Sequence, residues 1–210
     1  MEENYRRYPI GIQNFEQLRN RNCVYVDKTE LVYRLANTDS VYFLSRPRRF
    51  GKSLLVSTLE AYFQGKKDLF KGLAMERLEK DWNVYPVFHI DFSLTKYTTL
   101  FDLQEQLNLF LLRCEKVYGA EKEEKTPAAR LQGMIRRAYE QTGLPVVVLI
   151  DEYDAPLTVC MNNPGLFDFV RKKLSRLYAS FKNYEGVIRF LFLTGITKFN
   201  KTSIFSELNT

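Results

Sequence analysis

The sequence predicts an α/β protein, a three-layer sandwich with a mostly parallel sheet between two layers of helices. Three observations predict it. Apolar runs rich in β-branched and aromatic residues recur at Val41-Tyr42-Phe43-Leu44-Ser45, Val146-Val147-Val148-Leu149-Ile150 and Val187-Ile188-Arg189-Phe190-Leu191-Phe192-Leu193. Between them lie stretches whose apolar residues repeat every three to four positions, as helices require. The first two runs end in residues suited to charged ligands, Arg46 to Ser53 and Asp151-Glu152. Strand and helix in alternation build a parallel sheet with right-handed crossovers.

The elements follow in order. An entry segment, Pro9 to Phe15, precedes a short strand or turn at Val24-Tyr25-Val26. Asp27 and Glu30 have the spacing of a capping box for a helix over residues 28 to 37. After the strand at 41–45, Leu55, Leu59, Tyr62 and Phe63 mark a helix that ends near Gly65. Val87 to Phe92 alternates apolar with polar, as a strand towards a sheet edge does, and places His89 and Asp91 on one face, where a structural histidine is expected. Leu100, Leu103, Leu107, Phe110, Leu111 and Cys114 line one side of a long helix stopped by Gly119. Glu121 to Lys125 reads as a solvated loop. Thr126-Pro127 opens the next helix as N-cap and first position, and Gly143 closes it. Asn162 to Gly165 is a turn, and Phe167, Val170, Leu174, Leu177 and Phe181 carry the last helix.

The stretch Arg46-Pro47-Arg48-Arg49-Phe50-Gly51-Lys52-Ser53 matches the end of the phosphate-binding pattern G-x-x-x-x-G-K-[ST] and departs from its first glycine. A strand aims it and a helix N-terminus follows it, which is the arrangement that receives an anion. The expected nucleotide contacts are Arg48, Arg49, Phe50, Gly51, Lys52, Ser53 and Leu54. Lys52 would bridge the outer phosphate oxygens, and Ser53 would bind Mg²⁺. Arg46 stands where glycine is usual, so an ordinary negative φ is expected there, with its side chain turned from the phosphates. Pro47 favours that geometry.

The unbroken apolar run before Asp151-Glu152 is what a central strand buried on both faces looks like. Two carboxylates at its C-terminal end sit at the crevice where open α/β sheets bind ligands. Asp151 is placed to hold Mg²⁺, and Glu152 to orient and deprotonate a water. The last strand ends in Thr194-Gly195, with Thr194 a candidate sensor of the γ-phosphate and the third catalytic position, and Lys198 as a cationic helper.

Composition narrows the class. At 210 residues, with 45% hydrophobic and 27% charged residues, one globular domain is expected. The longest apolar run, Leu144 to Ile150, is far short of a membrane span. Three cysteines without metal-ligand spacing read as reduced thiols of a cytoplasmic protein, and a single histidine rules out a His-based metal cluster. Much of the +6 net charge is concentrated in Arg46, Arg48, Arg49 and Lys52, where a triphosphate would lie. Arg136-Arg137 and Arg171-Lys172-Lys173-Arg176 read as solvated helix faces, with nucleic-acid binding left open.

Together, Tyr25-Val26-Asp27-Lys28-Thr29, the arginine-rich phosphate loop, Asp151-Glu152-Tyr153-Asp154 and Leu193-Thr194-Gly195-Ile196-Thr197-Lys198-Phe199 resemble the AAA-ATPase-like family of bacteria and archaea. The resemblance spans residues 8 to 208. It implies a P-loop ATPase using ATP and Mg²⁺, core strand order 1-4-3-2 with a fifth strand beside the first, and apolar residues ahead of the first core strand against the adenine. Ile10, Ile12 and Phe15 are the candidates for that contact. It also implies a C-terminal domain similar to PD-(D/E)XK nucleases in the full-length protein, with this chain a fragment whose fifth strand and helical lid are missing or truncated. A homo-oligomer is left open, in which Arg171 or Arg176 of a neighbouring subunit would complete the site. The expected activity is an ATPase module that switches or drives an attached effector domain. The alternatives are a nucleotide-binding scaffold without turnover, or the ATPase part of a nucleic-acid-processing enzyme.

Overall fold

A computed structural model describes residues 6–94 and 100–196. Four strands, β1 (Val41–Ser45), β2 (Val87–Asp91), β3 (Val146–Asp151) and β4 (Ile188–Gly195), form one sheet in the order β1-β4-β3-β2. All three pairings are parallel. The expected core order is therefore observed, and β4 lies between the strand of the phosphate loop and the strand of the acidic pair.

Every residue of β3 is buried, because helices cover both faces of the sheet. On one side Val147, Leu149, Phe190 and Phe192 pack with α1 (Phe15–Asn20), α2 (Thr29–Thr38), α3 (Lys52–Phe63) and α4 (Ala74–Leu78). On the other, Val146, Val148, Ile150, Leu191 and Leu193 pack with α5 (Leu100–Tyr118), α6 (Pro127–Thr142), α7 (Ala155–Cys160) and α8 (Pro164–Lys182). Period-two alternation along β3 and β4 thus feeds two separate cores. At about 25 cal/mol per Å² of apolar area removed from water, these two cores are the main stabilising term.

Several boundaries follow local chemistry. The Thr126 side chain accepts the Ala129 N–H, and Gly143 takes a left-handed conformation at the end of α6. Gly119, at φ 82°, ends α5 as expected. The capping box does not form as its spacing suggests. The N-cap is Lys28, so Glu30 falls one position short of reaching back, and it pairs with Arg34 instead. Asp27 serves a longer-range purpose. Its Oδ1 accepts the Thr29 N–H at 2.8 Å, and its Oδ2 accepts the Ala74 N–H at 2.7 Å, tying α2 to α4.

Two further expectations are corrected. Val24-Tyr25-Val26 is not a strand; the nearby ladder contact is an isolated bridge between Arg7 and Cys23. The Glu121–Lys125 loop and Arg136-Arg137 are not simply solvated. Arg137 Nη1 lies 2.6 Å from Glu124 Oε1, with side chains only 11% and 9% exposed, while Arg136 pairs with Glu121. Gly133, one helical turn before Arg137, leaves the space that the Glu124 carboxylate fills. No helix among the described residues is long and apolar enough to cross a membrane.

Candidate functional site

At the C-terminal ends of the strands lies a cleft of about 1090 Å³. One wall is the phosphate loop. β1 delivers the chain to Arg46, whose N–H donates to the Gly195 carbonyl at 3.1 Å, so β4 anchors the start of the loop. Arg49, at φ 66°, and Gly51, at φ 74°, turn the chain sharply into α3. The first N–H groups of α3 have no carbonyl within their own helix to bond, and together with the helix dipole they favour an anion at this end. Arg46 does not have a positive φ; it is exposed and does not line the cleft.

Arg48, Arg49, Gly51, Lys52, Ser53 and Leu54 all line the cleft. Phe50 does not, and it is 65% exposed. The Lys52 side chain is only 3% exposed and its ammonium is fully engaged. It donates to the carbonyls of Arg46 at 3.1 Å and Pro47 at 3.3 Å, and lies 3.0 Å from Glu152 Oε1.

The opposite wall starts where β3 ends. Asp151, 1% exposed, sits beneath the cleft and does not contribute to its lining. Its Oδ1 accepts the Thr194 hydroxyl and, at 3.0 Å, the Glu152 N–H. Thr194 is wholly buried and likewise absent from the lining. Its hydroxyl is bonded to Asp151 and does not line the cleft. The reason is register. Thr194 is the penultimate residue of a strand pressed between β1 and β3, so its side chain meets its neighbour's carboxylate before it meets the cleft. Lys198 lies outside the described residues.

Glu152 lines the cleft at φ 51°, a left-handed conformation that costs a non-glycine residue about 1–2 kcal/mol. Burial raises its carboxyl above the ordinary carboxylate range. The Lys52 ammonium opposes this, and the charges of Asp151 and Asp154 reinforce it. A carboxylate so adjusted is a better proton acceptor than a solvated one.

Other residues of the cleft carry no motif of their own. Ile10, Gly11, Ile12 and Gln13 close one end, while Ala155, Thr158 and Val159 of α7 close another. Phe15, expected near a base, is fully buried in the core beside Tyr25 and Phe70. Asp154 is the notable omission from the expected set. It lines the cleft at 1% exposure, and its Oδ2 accepts the Ile196 N–H at 3.0 Å. The signal was present as a third carboxylate three residues after Asp151. His89, on the β2 edge, pairs with Glu60 at 3.0 Å and does not line the cleft.

A family model described as "Predicted AAA-ATPase" matches residues 9–205. The chain belongs to the AAA-ATPase-like family. It is also 38% identical over 206 residues to a curated protein of Azotobacter chroococcum mcd 1, described as an uncharacterized protein in the vnfD 5′ region. That match covers 97% of this chain and 40% of the relative, so the chain spans less than half of the relative's length. No solved structure matches. Membership implies nucleotide binding and ATPase chemistry, which is the chemistry the cleft's cationic and acidic walls are suited to.

Proposed function

We propose that the cleft binds ATP with Mg²⁺ and hydrolyses it, and that this module switches or drives an effector domain elsewhere in a longer protein. The observation that carries the reading is the pairing of Lys52 with Glu152 across the cleft, between a helix N-terminus and the end of a central parallel strand. The donor set fits the group: a buried ammonium, two arginines and helix N–H groups for phosphate oxygens, with the Ser53 hydroxyl for the metal and the Asp151 carboxylate, beneath the lining, for the metal's water shell. When bound, Mg²⁺ would supply charge neutralisation at the phosphates. Lys52 would hold the phosphates in place, Thr194 and the Glu152 N–H would orient Asp151, and Glu152 would take the proton of the attacking water. Ile10 and Ile12 offer apolar contact for a base.

The effector is proposed to be the nuclease-like domain that the family resemblance implies, in keeping with the greater length of the relative. Assembly into a homo-oligomer and contact with nucleic acid belong to the same proposal at the level of the whole protein. Within the chain, Arg171 is paired with Asp168, which weakens its case as an arginine donated to a neighbour.

One observation favours a second reading, a nucleotide-binding module without turnover. The Glu152 carboxylate is engaged by Lys52 through Oε1, a contact that lowers its affinity for a proton. Phosphate release from ATP by wild-type protein and Glu152→Gln, with magnesium and with chelator, separates the two. Magnesium-dependent turnover that the substitution abolishes supports the ATPase. Nucleotide binding with no turnover in either protein supports the scaffold.

A further inference from the structure

We propose that Asp154 is a positioning residue: by accepting the Ile196 N–H it fixes the turn that presents Glu152 to Lys52. The inference rests on the ATPase reading given above.

Asp154 is nearly inaccessible to solvent, and a carboxylate buried so deeply is unfavourable unless it is bonded. It occupies the N-cap position of α7, where an aspartate ordinarily accepts an N–H of the helix's first turn. Its side chain makes no such bond. The carboxylate instead crosses to the exit of β4, where Oδ2 accepts the Ile196 N–H at 3.0 Å. The approach is so close that a Cβ on Gly195 would lie 2.6 Å from Asp154 Oδ1 and 2.4 Å from the Tyr153 ring, so only glycine fits there.

The same two residues are held from the other side. The Ser45 hydroxyl donates to the Ile196 carbonyl at 3.0 Å, and the Arg46 N–H donates to the Gly195 carbonyl at 3.1 Å. Gly195-Ile196 is thus a crosspiece joining the entry of the phosphate loop to the acidic turn.

The consequence falls on Glu152. A non-glycine residue keeps a left-handed backbone only where neighbouring contacts over-determine it. Here the Tyr153 N–H donates to the Thr194 carbonyl at 2.9 Å, and the Ala155 N–H closes the turn on the Glu152 carbonyl at 2.9 Å. Asp154 adds the bond that ties the far side of this turn to β4. Without it, Glu152 can relax to a negative φ, which swings its carboxylate away from the Lys52 ammonium. Nucleotide contacts made by the phosphate loop are untouched by this change.

The test compares Asp154→Ala, which removes the acceptor, with Asp154→Asn, whose amide oxygen can still take the Ile196 N–H. Ile196→Pro removes the donor from the other end and serves if Asp154→Ala does not fold. Two readouts are needed. The first is the rate at which an N-hydroxysuccinimide ester acylates Lys52 in nucleotide-free protein, followed by mass spectrometry. The second is steady-state ATP hydrolysis. For Asp154→Ala and Ile196→Pro, Lys52 acylation is expected to rise several-fold. Their kcat should fall by about tenfold or more while KM stays within about twofold, as expected when a reacting group is misplaced but binding is kept. Asp154→Asn should stay within about threefold of wild type in both readouts. Acylation and kcat at wild-type values in a folded variant lacking the bond would reduce Asp154 to a structural role and overturn the proposal. If wild type itself hydrolyses no ATP, the ATPase reading fails, and the acylation rates alone decide for or against Asp154.

Discussion

Replacing Thr194 by valine keeps the side chain's shape and removes only its hydroxyl. That hydroxyl donates to Asp151 Oδ1, and both residues are buried, at 0% and 1% exposure. A hydrogen bond to a charged acceptor contributes about 1.5–3 kcal/mol, and the Glu152 N–H remains as the second donor to the same oxygen. Thr194→Val should therefore cost about 1.5–3 kcal/mol of stability, a fall in Tm of about 3–12 °C for a chain of this size. Loss of orientation at Asp151 should weaken magnesium binding as well, so the metal concentration for half-maximal ATP turnover rises. Differential scanning fluorimetry and a magnesium titration of ATPase activity read the two effects. A Thr194→Val protein with unchanged Tm and unchanged metal requirement, but no turnover, would refute the reasoning. It would mean that Thr194 meets the phosphate directly.

Glu152→Gln should abolish hydrolysis while leaving the Tm at neutral pH equal to or above that of wild type. Burial raises the Glu152 carboxyl, so the folded protein holds that proton more tightly than the unfolded chain; stability is lost as pH rises from the unfolded value through the folded one, and the amide removes this loss. Thermal melts across a pH series check the sign, and a variant less stable than wild type at neutral pH contradicts it. His89 behaves in the analogous way for a base. Burial lowers its affinity for a proton, but the bond to Glu60 and the charges of Glu60, Asp91 and Asp151 outweigh this, so the net direction is upward. Its contribution is fully present below the unfolded pKa and fades as pH rises through the folded one; Glu60→Gln should flatten that decline in urea melts. Arg46→Gly should preserve the fold and change ATP affinity by less than about tenfold, since Arg46 lacks a positive φ and does not line the cleft. Fluorescence titration with a labelled nucleotide measures this, and a gain beyond tenfold would show that the side chain obstructs the loop.

The sheet was legible because burial on both faces leaves a plain trace. Val146 to Ile150 has no polar residue, and only a strand covered by helices on each side tolerates that. The ends of α5 and α6 were legible for a different reason: Gly119, Thr126 and Gly143 act through backbone geometry within a few residues. What the sequence left hidden depends on contacts across long separations. Nothing near Asp27 announces its bond to Ala74, and nothing near Arg137 announces its pairing with Glu124 through the space left by Gly133. The site divides in the same way. Lys52, Ser53, Asp151 and Glu152 follow from motif spacing. That Thr194 holds Asp151, and that Asp154 reaches Ile196, follows only from the parallel pairing of β3 with β4.

The central claim is that Lys52 holds the phosphates of a nucleotide in this cleft. Calorimetric titration of ATP, with magnesium, into wild-type protein and Lys52→Ala tests it most directly. The substitution removes an ammonium buried between the Arg46 and Pro47 carbonyls and Glu152, a side-chain cation fixed at the start of α3. Wild type should bind one ATP per chain, and the variant should bind at least about tenfold more weakly, or about 1.4 kcal/mol, while remaining folded by circular dichroism. Equal affinity in the two proteins would place the nucleotide elsewhere and contradict the account.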